Sequence, residues 1–276
     1  MSKFADKHPV AQSIIIAWVL FFLPQFVSQV PLYICETVTG RDLNLAGSVL
    51  TILTACAAFY LYKLRFRPLF KGTLAGSLKD GLLLGLPILL YWAATMIIAL
   101  VSGNFAFKGI STGIIYTSVI AGFTEELAWR HGMISTLLRK WDTTDKIVPA
   151  VCVSAVIFGM VHALNALAGA DLFHTLLQVA ESTMIGIFFG AIFLRSGSLL
   201  TCMIIHTVHD IYAIAISPEV EASGLITGSI TLVNILDLFL CIILGAVGLY
   251  YLSPKFRDGI VTLWDRIWSR TDSYER

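Results

Sequence analysis

The chain has 276 residues, of which 57% are hydrophobic and only 13% are charged. Soluble domains carry about 25% charged residues, so this composition excludes an ordinary soluble fold and predicts a polytopic membrane protein. The formal net charge is +1, and no basic field or tail favours nucleic acid, which we exclude as a partner. The five cysteines are scattered and odd in number, which predicts small core residues and no disulfide framework.

Eight segments are long and apolar enough to cross a bilayer, which takes about 20 residues. They cover residues 11–33, 45–64, 82–102, 110–136, 147–167, 175–194, 199–217 and 230–252. Pro24 and Pro31 are expected to kink or end the first helix, and Pro87 lies in the opening turns of the third. We therefore predict an all-α fold, a polytopic membrane bundle of about eight transmembrane helices in one integral membrane domain, residues 1–276.

The basic residues predict the orientation of this bundle. Of the 19 Lys and Arg residues, 16 fall in the N-terminus, the C-terminal tail and the loops after the second, fourth and sixth spans. The opposite loops contain only Arg41 and Lys108, and Arg130 lies within a span. Because positive charge accumulates on the cytoplasmic side, both termini are expected in the cytoplasm.

The C-terminal tail has the pattern of an amphipathic helix over residues 256–268. One face of that helix would carry five apolar residues, namely Ile260, Leu263, Trp264, Ile267 and Trp268. Basic residues fall elsewhere on the wheel, which is typical of a helix that lies in the membrane interface.

Ionisable residues are concentrated in the fourth to seventh spans. They are Glu125, Glu126, Arg130, His131, His162, Glu181, His206, His209 and Asp210. Such residues are costly within a membrane and mark functional sites. We therefore interpret residues 1–109 as scaffold spans, 110–217 as the catalytic core, and 218–276 as the last span and the tail.

The stretch from Glu125 to Arg130 places two adjacent carboxylates and an arginine in an apolar run. On a helix Glu126 and Arg130 stand at i and i+4 and can pair, whereas Glu125 points about 100° away. One carboxylate is then held by a partner and the other is left for chemistry. The alternative is that all three residues form a structural ion cluster between helices.

Two further helical patterns supply imidazoles. Phe158 and His162 lie at i and i+4 in the fifth span, and His206 and Asp210 do so in the seventh, so each pair shares a helix face. A carboxylate on that face can orient the imidazole and select its tautomer. His209 is interpreted as an interhelical hydrogen-bond donor.

A free glutamate, two histidines and another acid suit the activation of water against an amide carbonyl. The same side chains, Glu125, His162, His206 and Asp210, could instead hold Zn²⁺ with an open position, although no HExxH motif is present. A serine triad is disfavoured because Ser154, Ser182 and Ser198 lack a GxSxG context. We favour the version that requires no metal, with Zn as the alternative.

Four stretches of this sequence, in order, resemble the motifs of one family. They are Glu125-Glu126-Leu-Ala-Trp-Arg130-His-Gly, Ser154-Ala-Val-Ile-Phe158-Gly-Met-Val-His162, the glycine-containing run from Gly186 to Leu199, and His206-Thr-Val-His-Asp210. Residues 124–212 are thus similar to the CPBP family, which comprises CAAX prenyl endopeptidases of the Rce1 type and bacteriocin-processing or self-immunity proteins, also called Abi proteins.

The resemblance implies a role for each matching residue. Glu125 and His162 would activate the hydrolytic water, and His206 with Asp210 would occupy the positions that stabilise the oxyanion. Glu126, Arg130 and Phe158 would support the site. Where this sequence has Asp210 the family has Asn or Asp, so the nature of the oxyanion donor depends on the protonation of that carboxyl.

The function predicted is therefore an intramembrane endopeptidase that cuts a lipidated, possibly CAAX-type, or otherwise membrane-associated peptide or protein. The compact chain is expected in a prokaryotic plasma membrane as a multi-pass protein. Two alternatives use the same residues. The chain could be a non-catalytic immunity or scaffold protein, or a proton-coupled transporter, against which stands the absence of a visible repeat between its halves.

Overall fold

The computed structural model describes residues 7–41, 43–66, 76–141, 143–216 and 231–272. Within these ranges the chain is helical and contains no strand, which confirms the all-α class. The elements are α1 (Pro9–Thr39), α2 (Asn44–Phe66), α3 (Leu78–Gly85), α4 (Pro87–Ser102), α5 (Thr112–Glu126), a π-helix (Leu127–Ile134), α6 (Ser135–Trp141), a 3-10 turn (Thr144–Lys146), α7 (Ile147–Val161), α8 (Leu164–Leu167), α9 (Leu172–Ser196), α10 (Leu199–Ile216), α11 (Leu232–Tyr251) and α12 (Pro254–Asp272).

Six helical segments are long and apolar enough to cross a membrane, so the chain is a multi-pass membrane protein. They are Pro9–Thr39, Leu78–Ser102, Thr144–Leu167, Leu172–Ser196, Leu199–Ile216 and Leu232–Tyr251. Helix α2 adds a shorter apolar stretch, Leu45–Leu61. The remaining expected span, residues 110–136, falls on α5, the π-helix and α6. The count of eight spans and the cytoplasmic position of both termini stay predictions.

Prolines act differently in the first and third expected spans. Helix α1 runs through Pro24 and Pro31 and ends only at Thr39, so neither proline ends it. Gly40 then adopts a φ of 65° and its N–H donates to the Glu36 carbonyl at 2.8 Å, a left-handed helix end that glycine favours. Pro87 separates α3 from α4 because it has no N–H to continue the helical ladder.

Glycines bring the helices of the bundle into close contact. A Cβ on Gly122 of α5 would collide with Thr207 and with the Met203 carbonyl of α10. On α11, a Cβ on Gly248 would collide with the backbone of Phe188 in α9. Small residues of this kind permit the close backbone approach on which helix packing in membranes depends. The contact between α5 and α10 is the one that assembles the site described below.

The C-terminal helix α12 was expected to lie in the membrane interface, and part of its apolar face packs on protein instead. Ile260 and Trp264 are buried, and the Trp264 Nε1 donates to the Leu194 carbonyl at 3.0 Å. The Trp264 ring also meets Phe193 edge-on, with 5.2 Å between centroids. The side chains of Ile267 and Trp268, parts of the expected loops 65–81 and 218–229, and the chain ends lie outside the described residues.

Candidate active site

The glutamate pair lies where α5 changes into a π-helix. Helix α5 begins with Ser111, whose hydroxyl accepts from the Ile114 N–H at 3.2 Å, and it ends at Glu126. The π-helix follows directly and is buried over its whole length. One of its carbonyls, that of Trp129, accepts from the Ser154 hydroxyl of α7 at 2.8 Å. Single π-turns are rare and occur at functional sites, and nothing in the apolar pattern of the sequence indicated this one.

Glu126 links two partners, one on its own helix and one on α10. Its Oε2 lies 3.0 Å from the Arg130 Nε, as the i, i+4 spacing predicted. Its Oε1 lies 2.7 Å from the His206 Nδ1. Glu126 is fully buried and Arg130 is 1% exposed, so the ion pair is enclosed by protein. The Glu126 carboxylate holds the orientation of the His206 imidazole through its contact with Nδ1.

Arg130 has its guanidinium among aromatic rings. Its Cζ lies 4.6 Å from the Phe158 ring centre and 5.5 Å from that of Phe189. The two terminal nitrogens, Nη1 and Nη2, make no hydrogen bond to the described part of the chain. Cation–π contacts and the Glu126 carboxylate therefore hold this buried charge.

His206 turns its other ring nitrogen toward two carboxylates. The Nε2 lies 3.7 Å from the Glu125 Oε2 and 3.5 Å from the Asp210 Oδ1. The latter contact is the predicted i, i+4 pair. Both separations are longer than a good direct hydrogen bond. Nδ1 is engaged by Glu126, so Nε2 is the nitrogen that faces the reaction space.

Phe158 and His162 approach the same site from α7. The Phe158 ring meets His162 edge-on at 5.2 Å between centroids and His206 at 6.1 Å. His162 is half-buried at the residue where α7 ends. It lines the same cavity as Glu125, His206 and Asp210. The structure thus brings together all seven side chains singled out from the sequence, from α5, the π-helix, α7 and α10.

A cavity of about 450 Å³ opens beside these residues. Its lining includes Gln25 of α1 and Tyr91 of α4, both from the segment expected to be scaffold, and Asn234 and Asp237 of α11. The Tyr91 hydroxyl donates to the Asp237 Oδ1 at 2.7 Å. The sequence did carry one signal for this part of the site, because Asp237 is an ionisable residue inside an apolar span.

His209 forms the expected hydrogen bond between helices, but it accepts this bond where it was expected to donate. The Trp92 Nε1 donates to the His209 Nδ1 at 3.1 Å, so the histidine is the acceptor. The two rings are stacked, 6.4 Å apart and 11° from parallel. This bond ties α10 to α4 at the edge of the cavity.

The structure shows the surroundings of the three serines and of the residues that could bind a metal ion. Ser154 donates to a backbone carbonyl, and Ser198 accepts from the Thr201 N–H at 3.2 Å. Ser182 lines the cavity. Over the described ranges, no three His, Cys, Asp or Glu side chains are arranged to hold a metal ion. The metal-free reading stays a proposal, and a chelator tests it.

Comparison with known protein families gives a match in the middle of the chain. Residues 107–212 match the family model of the type II CAAX prenyl endopeptidases, described as Rce1-like. This segment is similar to the Rce1-like domain of that family. No curated protein and no solved structure matches the chain significantly.

The Rce1-like segment runs from the loop before α5 to the last third of α10. It therefore includes all seven side chains predicted from the four motifs, and it agrees with the resemblance that those motifs carried. Gln25, Tyr91, Asn234 and Asp237 line the same cavity from outside the Rce1-like segment. The cavity is completed by helices that the family match does not cover.

Proposed function

We propose that the chain is an intramembrane endopeptidase that hydrolyses a peptide bond of a membrane-associated or lipidated peptide or protein. The observation that supports this most is the pair of separations around the His206 Nε2, 3.7 Å to Glu125 and 3.5 Å to Asp210, beside a cavity of about 450 Å³. The cavity offers room for a water molecule and a peptide carbonyl beside a candidate base and candidate hydrogen-bond donors.

In the proposed reaction Glu125 accepts a proton from the water as its oxygen attacks the scissile carbonyl carbon. His162, on the cavity wall, assists by sharing that proton. The carbonyl oxygen becomes an oxyanion, and the bond from carbon to nitrogen then breaks as the leaving amine takes the proton back. Each step balances with water as the only co-reactant.

The oxyanion receives its hydrogen bonds from α10. For His206 to donate through Nε2 while Nδ1 donates to Glu126, the ring must be an imidazolium, a charge that the surrounding carboxylates complement. Asp210 can donate only when it is protonated. Donors fixed before the reaction, in a site shielded from bulk water, stabilise developing charge strongly.

The lining of the cavity favours one form of substrate over another. Among the described lining residues there are four carboxylates, Glu125, Glu181, Asp210 and Asp237, and no Lys or Arg. A free substrate carboxylate close to the scissile bond would meet these four carboxylates, and the only cation proposed in the cavity, the His206 imidazolium, is already paired with carboxylates. We therefore favour cleavage within a chain, or of a segment that is neutral or basic near the bond.

Two measurements test the proposal. Membranes from cells making the wild-type chain, Glu125→Gln or Glu36→Gln are compared by peptide mass spectrometry. Glu36, at the end of α1, accepts from the Leu43 N–H at 2.7 Å and lies outside the cavity, so its variant is the matched control. Wild type and Glu36→Gln should release the same fragments, and Glu125→Gln should release none because an amide cannot accept the water proton.

Equal cleavage by Glu125→Gln would discard the general base and leave the immunity or scaffold alternative. The released fragments also supply a substrate for the second measurement. Matched peptides that differ only in a C-terminal amide or carboxylate are compared, and the amide should be cleaved at least as fast. A strong preference for the peptide with a free carboxylate would contradict the proposal that the cavity carboxylates disfavour such substrates.

A further inference from the structure

Helix α9 presents one continuous face to the cavity. The residues of this face recur three or four positions apart, as they do along one side of an α-helix. They are His174, Leu177, Gln178, Glu181, Ser182 and Ile185. From the first to the last of them the α9 face is about 16 Å long, at a rise of about 1.5 Å per residue. None of these side chains takes part in the proposed bond cleavage.

One end of the α9 face lies beside the His206 imidazole. The Phe189 ring, one turn beyond the last residue of the face, has its centre 5.6 Å from that of His206. The other end is the first turn of α9, where the Asp171 Oδ1 accepts from the His174 N–H at 3.0 Å. The α9 face therefore runs from the reacting groups to the N-terminal end of the helix.

Gln178 lies in the middle of the α9 face and is oriented by a neighbour. The Asn165 Nδ2, on α8, donates to the Gln178 Oε1 at 2.9 Å. A glutamine amide has an acceptor oxygen and two N–H donors. Because the oxygen is engaged by Asn165, the groups that Gln178 offers to a molecule in the cavity are its N–H donors.

His174 is a buried polar side chain with a ring nitrogen that lacks a partner. It lines the cavity although it is only 2% exposed. Its Nε2 makes no hydrogen bond to any residue that the structure describes. The large majority of buried polar atoms in proteins are hydrogen-bonded, so an exception requires an explanation. A molecule bound in the cavity would supply the missing partner.

The spacing of the polar side chains matches that of an extended peptide. His174, Gln178 and Ser182 are four residues apart, which is about 6 Å along the helix axis. In an extended chain, alternate residues face the same way and repeat every 6.6 Å or so. The N–H and C=O groups of such a segment need hydrogen-bond partners once they leave water. The α9 face offers polar groups at the required interval, which an apolar lipid chain would not need.

We propose that His174, Gln178 and Ser182 bind the main chain of the substrate on one side of the scissile bond. This inference rests on the proposed function, because it concerns the substrate of the same site. Measured from Phe189, the three side chains lie about 10 to 22 Å along α9, which an extended segment covers between roughly its third and seventh residue from the bond. Main-chain contacts of this kind select an extended segment of sufficient length, whatever its side chains.

Peptides of different length test the inference. They are built on the cleaved sequence identified by the comparison of membrane fragments. One peptide has about eight residues on both sides of the bond, and two others are cut to about two residues on one side or the other. The values of kcat and KM are measured for wild type, Gln178→Leu and His174→Phe. Leu176→Ala is the matched control, because Leu176 is on α9, is 55% exposed and does not line the cavity.

Shortening of one side should raise KM for wild type and for Leu176→Ala by at least about tenfold with little change in kcat, because several hydrogen bonds are lost from ground state and transition state alike. For Gln178→Leu and His174→Phe, KM should already be raised with the long peptide, and the same shortening should change it by less than about twofold. A general loss of structure would lower activity without removing the dependence on length.

Equal dependence on length in wild type and both variants would overturn the inference, as would a wild type that ignores length on either side. Gln178→Leu decides the matter alone if unfolding midpoints show that His174→Phe does not fold. In these cases cleavage by wild type and its loss in Glu125→Gln would leave the proposed function standing. Equal fragment release by Glu125→Gln would overturn the proposed function, and the inference with it.

Discussion

Glu126 makes the two contacts that define the site most closely. The sequence predicted its pairing with Arg130, because residues four apart on a helix are neighbours. Its contact with the His206 Nδ1 at 2.7 Å joins residues 80 positions apart, a distance at which no pattern in a single sequence reports contact. The carboxylate interpreted as support is thus also the group that orients the imidazole.

Replacement of Arg130 should reduce the amount of folded protein. Arg130→Ala leaves Glu126 as a buried charge with one partner fewer, a loss that typically costs about 3 to 5 kcal/mol. The thermal unfolding midpoint in detergent should fall well below that of the wild type. Arg195→Ala is the matched control, because Arg195 stacks on Phe256 with 4.1 Å to its ring centre at the end of the bundle. Normal stability with lost hydrolysis would instead assign Arg130 to the chemistry.

The rate of hydrolysis should pass through a maximum as pH rises. At low pH Glu125 is protonated and cannot accept the proton of water, and at high pH His206 loses the Nε2 proton needed by the oxyanion. The measurement is kcat/KM across about pH 5 to 9, where such profiles report the free enzyme. A rate that is flat across this range would contradict both assignments.

Asp210 separates the metal-free reading from the zinc alternative. If Asp210 donates to the oxyanion, Asp210→Asn supplies a permanent donor, so activity should survive and should decline less as pH rises. If Asp210 binds a metal or orients His206 as an anion, the amide is a poor substitute. Cleavage is measured with and without a chelator. An inactive Asn variant together with a chelator-sensitive wild type would reject the metal-free mechanism.

At the scale of helices, the spacing between α5 and α10 sets the distance between Glu125 and His206. Gly122 faces the Met203 carbonyl and Thr207 of α10, where a Cβ has no room. Gly113, at the start of α5, would meet only the Ser111 hydroxyl, at 3.7 Å. The two glycines therefore offer a matched pair on one helix.

Gly122→Ala should push α5 away from α10 and lower hydrolysis by at least about tenfold, since misplacement of catalytic groups by roughly 1 Å can cost a hundredfold. Gly113→Ala should retain wild-type activity and stability. Rates on the same peptide and unfolding midpoints are compared for both variants. Full activity of Gly122→Ala would show that the separation of these helices does not limit the reaction.

The sequence supported the fold class, the site residues and their pairing within each helix, because burial and i, i+4 spacing are properties of one segment. The contacts between different helices could not be predicted from it. The bond from Trp92 to His209 and the contribution of Tyr91 to the cavity depend on how helices pack against one another. The π-helix could not be predicted either, because its residues are buried on every side and the apolar pattern shows no change of period there.

For the whole molecule, the number of spans and the orientation are the expectations most open to test. The six described membrane segments, the shorter α2 and the chain from α5 to α6 could together give eight crossings. Reporters fused before Met1 and after Arg276 should then both be cytoplasmic. Activity of the two fusions on opposite sides would require an odd number of crossings and a revised bundle.

The π-helix makes the active site sensitive to the loss of a single residue from this stretch of the chain. A π-turn accommodates one more residue than an α-turn, so loss of any one residue between Leu127 and Ile134 would leave a regular α-helix of almost the same length and hydropathy. That helix would still insert in the membrane. A deletion at Leu127, Ala128 or Trp129 would move Arg130 from the fourth to the third position after Glu126, so the ion pair described above would have to form in a different geometry. Relatives that differ by one residue in this stretch are therefore the ones in which lost hydrolytic activity should be sought first.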